Sequence, residues 1–226
     1  MVKFSYYGHS AFLLDDGQHK VLVDPFLTGN PKATVKPENV KCDFILVSHA
    51  HGDHLGNAPE IAYNTGAAIV STPEVISEAE SIGRLTCYPM NLGGSLNLSF
   101  GKVRMTLAQH SAGVPGGTAC GFVINIGGLN IYYAGDTALF SDMQIIGRKD
   151  KLDYAVLPIG DNYTMGLEDA AQAAQWLGAK HVIPVHYDTW PVIAQDVQMF
   201  KELTEKVAHA QVHILAPGED LELTKD

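Results

Sequence analysis

The stretch Ser48-His49-Ala50-His51-Gly52-Asp53-His54 sets four side chains able to bind a metal ion within six positions, directly after the apolar run Phe44-Ile45-Leu46-Val47. At this chain's own His and Asp frequencies, H-x-H-x-D-H would arise by chance in about one such sequence in a thousand. The spacing has a physical meaning. On an extended segment, residues two apart point the same way, so His49 and His51 can address one position. A tight turn at Gly52 lets Asp53 and His54 face a second. One loop can thus serve two adjacent metal ions, and four merely solvated residues are the poorer account.

Outward from this stretch the chain reads as two similar halves. Residues 43–48 are almost continuously apolar, as in a strand buried on both faces. Before them, 3–7, 10–14 and 20–23 read as strands, the last two joined across Asp16-Gly17. After them come a helix near 58–64, a strand at 67–71 and a helix opening at Pro73. In the second half, 103–108, 120–126, 130–134, 154–157 and 181–185 read as strands, with a turn at Gly127-Gly128. Leu167, Ala170, Ala171, Ala174 and Leu177 recur at helical spacing, as do Ile193, Val197, Phe200, Leu203 and Val207. A strand at 211–215 is expected to close the chain. This is an α+β pattern in which two sheets pack together with helices outside. At 226 residues, one large domain spanning 1–226 is expected.

Charge and composition narrow the partners. Lys and Arg number 15 against 25 Asp and Glu, a net charge of −10, and no basic block occurs anywhere. Phosphate backbones are held by clustered cations, so nucleic acid is not an expected partner. Two divalent cations would leave the site locally positive, which keeps small anionic substrates among the candidates. The longest apolar run is far below the roughly 20 residues that span a bilayer. Residues 1–15 show neither a basic n-region nor an apolar h-region. A cytoplasmic protein with no membrane partner is expected. Cys42, Cys87 and Cys120, an odd number with no CxxC pair, fit free thiols in a reducing compartment.

Four ligands are too few for two catalytic metals, and three further positions fit. His110 follows the strand at 103–108, Asp136 lies in Tyr133-Ala134-Gly135-Asp136-Thr137, and His186 follows Val182-Ile183-Pro184-Val185. Each is a ligand-type residue just past a buried strand, where sites in layered folds gather.

With these residues in this order, the chain resembles the metallo-β-lactamase superfamily of binuclear hydrolases along essentially its whole length. Tyr7-Gly8-His9-Ser10, Val23-Asp24-Pro25-Phe26, the segment 160–166 and His186-Tyr187-Asp188-Thr189-Trp190 resemble a compact branch of metal-dependent hydrolases related to L-ascorbate-6-phosphate lactonase. The resemblance implies a four-layer αββα sandwich. It also implies one ion on His49, His51 and His110, another on Asp53, His54 and His186, and Asp136 bridging the two. Asp136 stands where antibiotic-degrading members place a Cys, so β-lactamase activity is not expected. His51 occupies the Glu position of the H-x-E-x-D pattern of diiron oxygen reductases, and the basic RNA-clamping arm of tRNA-processing members is missing.

These ligands imply a mechanism. Two divalent ions, zinc first with manganese or iron as alternatives, lower the pKa of a shared water towards about 7. The resulting hydroxide would attack a small ester, lactone or phosphodiester, with Asp53 orienting it and moving its proton. Asp24 is expected to orient a ligating imidazole, or simply to end a strand before Pro25. His9 reads either as a proton donor to the leaving group or as a packed strand-end histidine. Asp161, Asn162 and Tyr163 would contact substrate on the rim, or form a turn feeding the helix at Leu167. Residues 111–117 read as a mobile substrate loop or as plain flexibility, and His19, His181, His209 and His213 as structural or surface residues. Two other classes stand beside the hydrolase: a mononuclear or diiron redox enzyme of persulfide or oxygen chemistry, and a non-catalytic metal-binding protein. A symmetric homo-oligomer would suit a soluble enzyme of this size.

Overall fold

A computed structural model describes residues 1–225. The first half begins with an antiparallel meander of β1 (Val2–Gly8), β2 (Ala11–Asp15) and β3 (Lys20–Val23). Strands β4 (Phe44–Leu46), β5 (Ala68–Ser71) and β6 (Cys87–Pro89) extend it in parallel. Parallel neighbours need crossovers, and these carry α1 (Gly52–Leu55), α2 (Ala58–Thr65) and α3 (Pro73–Ala79). The second half repeats the scheme. Strands β7 (Ser95–Leu98), β8 (Gly101–Leu107), β9 (Cys120–Ile126) and β10 (Leu129–Tyr133) are antiparallel. Then β11 (Tyr154–Pro158), β12 (His181–Val185) and β13 (Gln211–Val212) follow in parallel, with α4 (Met143–Asp150), α5 (Leu167–Leu177) and α6 (Val197–Ala208) between or after them. Finally β14 (Asp220–Leu223) returns to pair with β1. The sheets run β14-β1-β2-β3-β4-β5-β6 and β13-β12-β11-β10-β9-β8-β7.

Side-chain alternation explains the layering, because successive residues of a strand face opposite sides. Phe44 and Leu46 of β4 point between the sheets, while Ile45 and Val47 meet α2 and α3. Phe122 and Ile124 of β9 share that central layer, while Val123 faces the α4–α5–α6 side. The result is the expected four-layer αββα sandwich. Among the described residues no helix is long and apolar enough to cross a membrane.

The structure corrects several expected elements. The closing strand at 211–215 is only two residues long, and it is β14 that ends the chain. Pro217 has no N–H to continue a ladder, and Gly218 turns the backbone at φ +95°, donating to the Tyr6 carbonyl of the other sheet. The helix expected from Ile193 begins at Val197, because the Asp196 carboxylate caps it by accepting from the Gln198 and Met199 N–H groups. Pro191–Ile193 form a separate 3-10 turn. Helix α4 was not anticipated: its glycine and polar face give a weak pattern. Gly147 is there for close approach, since a Cβ would overlap the Leu177 backbone of α5.

Candidate metal centre

The chain leaves β1, β3, β4, β8, β10 and β12 at one rim, and each exit carries a site residue. Past β1 and β3 come His9 and Asp24, and past β12 comes His186. All three hold left-handed backbone conformations, with φ +59°, +40° and +57°. Such strain in non-glycine residues persists where the surroundings over-determine it. Here they do: the His186 N–H donates to the His9 carbonyl at 2.8 Å, and the Asp24 N–H donates to the Leu46 carbonyl at 3.1 Å. Past β4 the chain bends at Ser48, His51 holds an extended backbone at φ −61° and ψ 146°, and Gly52 opens the one-turn helix α1 rather than a tight turn. The His54 and Leu55 N–H groups donate to the His51 carbonyl, and this single helical turn aims Asp53 and His54 at the same space. Past β10, Gly135 adopts φ +63°, and a Cβ there would lie 2.5 Å from the Cys120 carbonyl oxygen. Only a residue without a Cβ lets Asp136 reach the centre.

Two groups of ligand atoms result. His49, His51 and His110 form one; Asp53, His54 and His186, joined by His9, form the other. Within each, the atoms lie within 4.8 Å of one another. Asp136 sits between them. Its Oδ1 is 3.2 Å from His54 Nε2, and its Oδ2 is 3.1 Å from His186 Nε2 and 3.7 Å from His110 Nε2. All seven residues singled out from the sequence therefore converge.

The donor set fits divalent cations. His54 Nε2, His186 Nε2 and Asp136 Oδ1 are buried without an aligned hydrogen-bond partner. Buried polar atoms left unpaired cost about 1–3 kcal/mol each, and here both imidazole nitrogens face the Asp136 carboxylate. All-nitrogen-and-oxygen ligation of this kind suits zinc, manganese or iron. Electrostatics point the same way. Burial opposes ionisation of Asp136, yet the His54 and His186 imidazoles hold its carboxyl well below the usual range. Burial likewise opposes charge on His54, but Asp136 and Asp24 outweigh it and push its pKa well above the ordinary value. His49 is driven well down by burial and by neighbouring His54.

Asp24, fully buried, is the anchor beneath the site. Its Oδ1 accepts from the Ser48 N–H at 2.8 Å. Its Oδ2 accepts from Ser48 Oγ at 2.5 Å, Tyr133 Oη at 2.6 Å and His54 Nδ1 at 2.7 Å. A carboxylate only accepts, so His54 carries a proton on Nδ1, and Nε2 is the nitrogen that faces the centre. Tyr133 was not anticipated, since in sequence it is one more aromatic of an apolar strand.

His9 is buried, with Nε2 3.2 Å from Asp53 Oδ2 and Nδ1 2.8 Å from Thr189 Oγ1. Burial lowers its pKa to about 4 against the pull of Asp53, so it is neutral at pH 7. Asp161 and Asn162 stand apart. They form an exposed turn with φ +58° and +44°, and among the described residues neither bonds to the seven converging side chains. Of residues 111–117, Ser111 and Ala112 contact the 49–51 segment. The Ala50 N–H donates to the Ala112 carbonyl at 2.8 Å, and Ser111 Oγ lies 3.3 Å from His51 Nε2. Gly113, at φ +72°, leaves space for His51, whose N–H would lie 2.6 Å from a Cβ there. Gly113→Ala is therefore expected to displace His51 and lower metal content measured by elemental analysis, with the fold by circular dichroism retained. His181 and His213 pair with each other at 3.0 Å beside the Tyr154 ring, at the other end of β12. The three cysteines are free.

A model of the beta-lactamase superfamily domain matches residues 3–186. The chain belongs to this superfamily. Among its relatives is a UPF0173 metal-dependent hydrolase of Heliobacterium modesticaldum, 46% identical over 99% of this chain and 98% of that protein. Another, from Thermus thermophilus, is 46% identical over 99% and 100%. A solved metallo hydrolase from the archaeon Ignicoccus hospitalis superposes with a TM-score of 0.91 at 36% identity, covering 99% of each chain. A diiron β-hydroxylase from Streptomyces venezuelae shares the superfamily fold at 13% identity, with a TM-score of 0.74 over 98% of this chain and 54% of that one. That last likeness concerns the fold alone. Chemistry within the superfamily is decided by the ligands and the walls around them.

Proposed function

We propose that this protein is a hydrolase that uses two divalent cations, zinc in the first place, on a small ester, lactone or phosphodiester. The observation that carries the reading is the buried Asp136 carboxylate lying between two separate groups of ligand atoms. In the proposal His49, His51 and His110 would hold one cation and Asp53, His54 and His186 the other, with the Asp136 carboxylate lying between the two groups. When bound, such a pair supplies an acidified water at neutral pH and a Lewis acid for the carbonyl or phosphoryl oxygen. The remaining steps belong to the chain's own groups.

Of the three site carboxylates, Asp24 is 0% exposed and Asp136 3%, whereas Asp53 is 26% exposed. Asp53 alone meets both the ligand cluster and incoming solvent, so it is assigned to orient water and to carry its proton away. His9 positions it. The Thr189 hydroxyl donates to His9 Nδ1, which leaves the Nε2 proton directed at Asp53 Oδ2 and holds that oxygen in place. Asp24 performs the same service for His54. The substrate is a small molecule, and the protein works in the cytoplasm.

Elemental analysis of tag-free protein, run beside hydrolysis of bis(p-nitrophenyl) phosphate and of a lactone panel, tests the reading. About two zinc or manganese ions per chain are expected, with turnover of at least one substrate class and its loss in His51→Ala and Asp53→Ala. A single iron with no hydrolysis of any of them would overturn it in favour of redox chemistry.

A further inference from the structure

Two aromatic rings stand beside the centre with no part in ligation. Phe26 follows Asp24-Pro25, and Trp190 lies four residues past His186. Their ring centroids are 6.0 Å apart at 38°. Both rings also meet His9, Trp190 at 5.0 Å and Phe26 at 5.7 Å, each edge-on. His9 in turn touches Asp53 and packs on the His186 ring at 4.2 Å. One side chain therefore separates this pair from the group assigned to handle water.

The pair is rigidly carried. The Asn57 N–H donates to the Pro25 carbonyl at 2.9 Å, and Gly56 closes against the Phe26 backbone, where a Cβ would lie 2.8 Å from its Cα. On the other side the Ile193 N–H donates to the Trp190 carbonyl at 3.0 Å, and the Asp188 N–H to the Ile193 carbonyl at 2.9 Å. Packing alone would bury such rings. Instead both remain half-exposed, and among the described residues the Trp190 indole N–H donates to no protein group. Pinned, half-exposed rings with a free donor at a reaction centre have the properties of a recognition surface: apolar area already ordered, so that little entropy is lost when a ligand packs on it.

We propose that Phe26 and Trp190 form the wall that selects the substrate, receiving an aryl or similarly flat apolar group on the acyl, or non-leaving, side of the scissile bond. The inference rests on the hydrolase reading above and narrows its substrate class. A flat ring placed against the pair buries its face on Trp190, its edge on Phe26, and brings the adjoining ester or phosphodiester to Asp53.

The test compares two phosphodiesters with one leaving group, bis(p-nitrophenyl) phosphate and ethyl p-nitrophenyl phosphate, and the matching esters p-nitrophenyl benzoate and acetate. Trp190→Ala and Phe26→Ala are expected to cut the aryl-to-alkyl ratio of kcat/KM by about three- to tenfold, through KM on the aryl member, with metal content unchanged. Trp190→Phe should keep most of the preference. A purely structural role would lower both members of a pair alike, and that result overturns the proposal. A second readout needs no turnover. The chain has two Trp, so Trp176→Phe leaves Trp190 as the sole indole, and its emission is followed while metal-loaded protein is titrated with phenylphosphonate or methylphosphonate. A shift at several-fold lower phenylphosphonate concentration, abolished by Phe26→Ala, supports the wall; equal responses overturn it. A selective shift in a protein that hydrolyses nothing would keep the wall and sink the hydrolase reading, and hydrolysis with no aryl preference would do the reverse.

Discussion

Asp136→Ala is expected to abolish turnover and to lower metal affinity by at least about 100-fold, because even groups that merely orient ligands are worth 10–100-fold. Its Oδ1 and Oδ2 lie within 3.7 Å of three imidazoles, His54 and His186 of one ligand group and His110 of the other. Asp136→Asn keeps the shape but removes the charge, and turns one acceptor into a donor facing His54 or His186. It should lose nearly as much. Elemental analysis and kcat/KM check both. Metal-free protein supplies an independent readout through linkage. The Asp136 carboxyl is depressed in the fold, so its contribution is present above the unfolded value near 3.9 and lost as pH falls. The His54 pKa is raised, so its contribution is present below about 6.5 and lost as pH rises through the folded value. In chelator, the gap in Tm between wild type and Asp136→Asn should therefore be widest between about pH 4 and 6.5 and narrow on both sides. A gap that widens towards alkaline pH would contradict the pairing.

The largest loss of stability is expected from Asp24→Ala. The substitution leaves the Ser48 N–H, the Ser48 and Tyr133 hydroxyls and His54 Nδ1 without their acceptor. At about 1–3 kcal/mol for each buried orphan, less what water and relaxation recover, the cost is about 3–5 kcal/mol. For a chain of this size that is roughly 10 °C in Tm. Tyr133→Phe separates the contributions: it removes one donor and leaves no orphan except a lone pair, so it should cost only about 1 kcal/mol. Metal affinity should fall in Asp24→Ala as well, since His54 loses the bond that sets its tautomer. Urea titration of the chelated and loaded forms distinguishes the two effects. If Asp24→Ala proves no less stable than Tyr133→Phe, the carboxylate is a turn residue and nothing more.

Local pattern carried much of this protein's architecture. Ligand spacing in 48–54, apolar runs of strand length and helical spacing in α5 are short-range properties, set by backbone geometry within a few residues, and the structure keeps them. Elements with weak local signals were not legible: α4 with its Gly147, the edge strands β6 and β7, and β14, which is defined by its partner β1 rather than by its own residues.

The same division runs through the site. Asp24, His49, His51, Asp53, His54, His110, Asp136 and His186 could be named from the chain because each follows a strand, and strands running in one direction deliver their ends to one rim. Tyr133 under Asp24, Thr189 on His9 and the Phe26–Trp190 pair could not. Their partners lie 109, 180 and 164 positions away along the chain, on different sheets or loops. Sequence by itself determined which candidate ligands were present and in what order, since these are written in local spacing. Only the tertiary structure decided which buried acceptor holds which donor and which rings stay exposed, because those contacts exist only once the two sheets have packed.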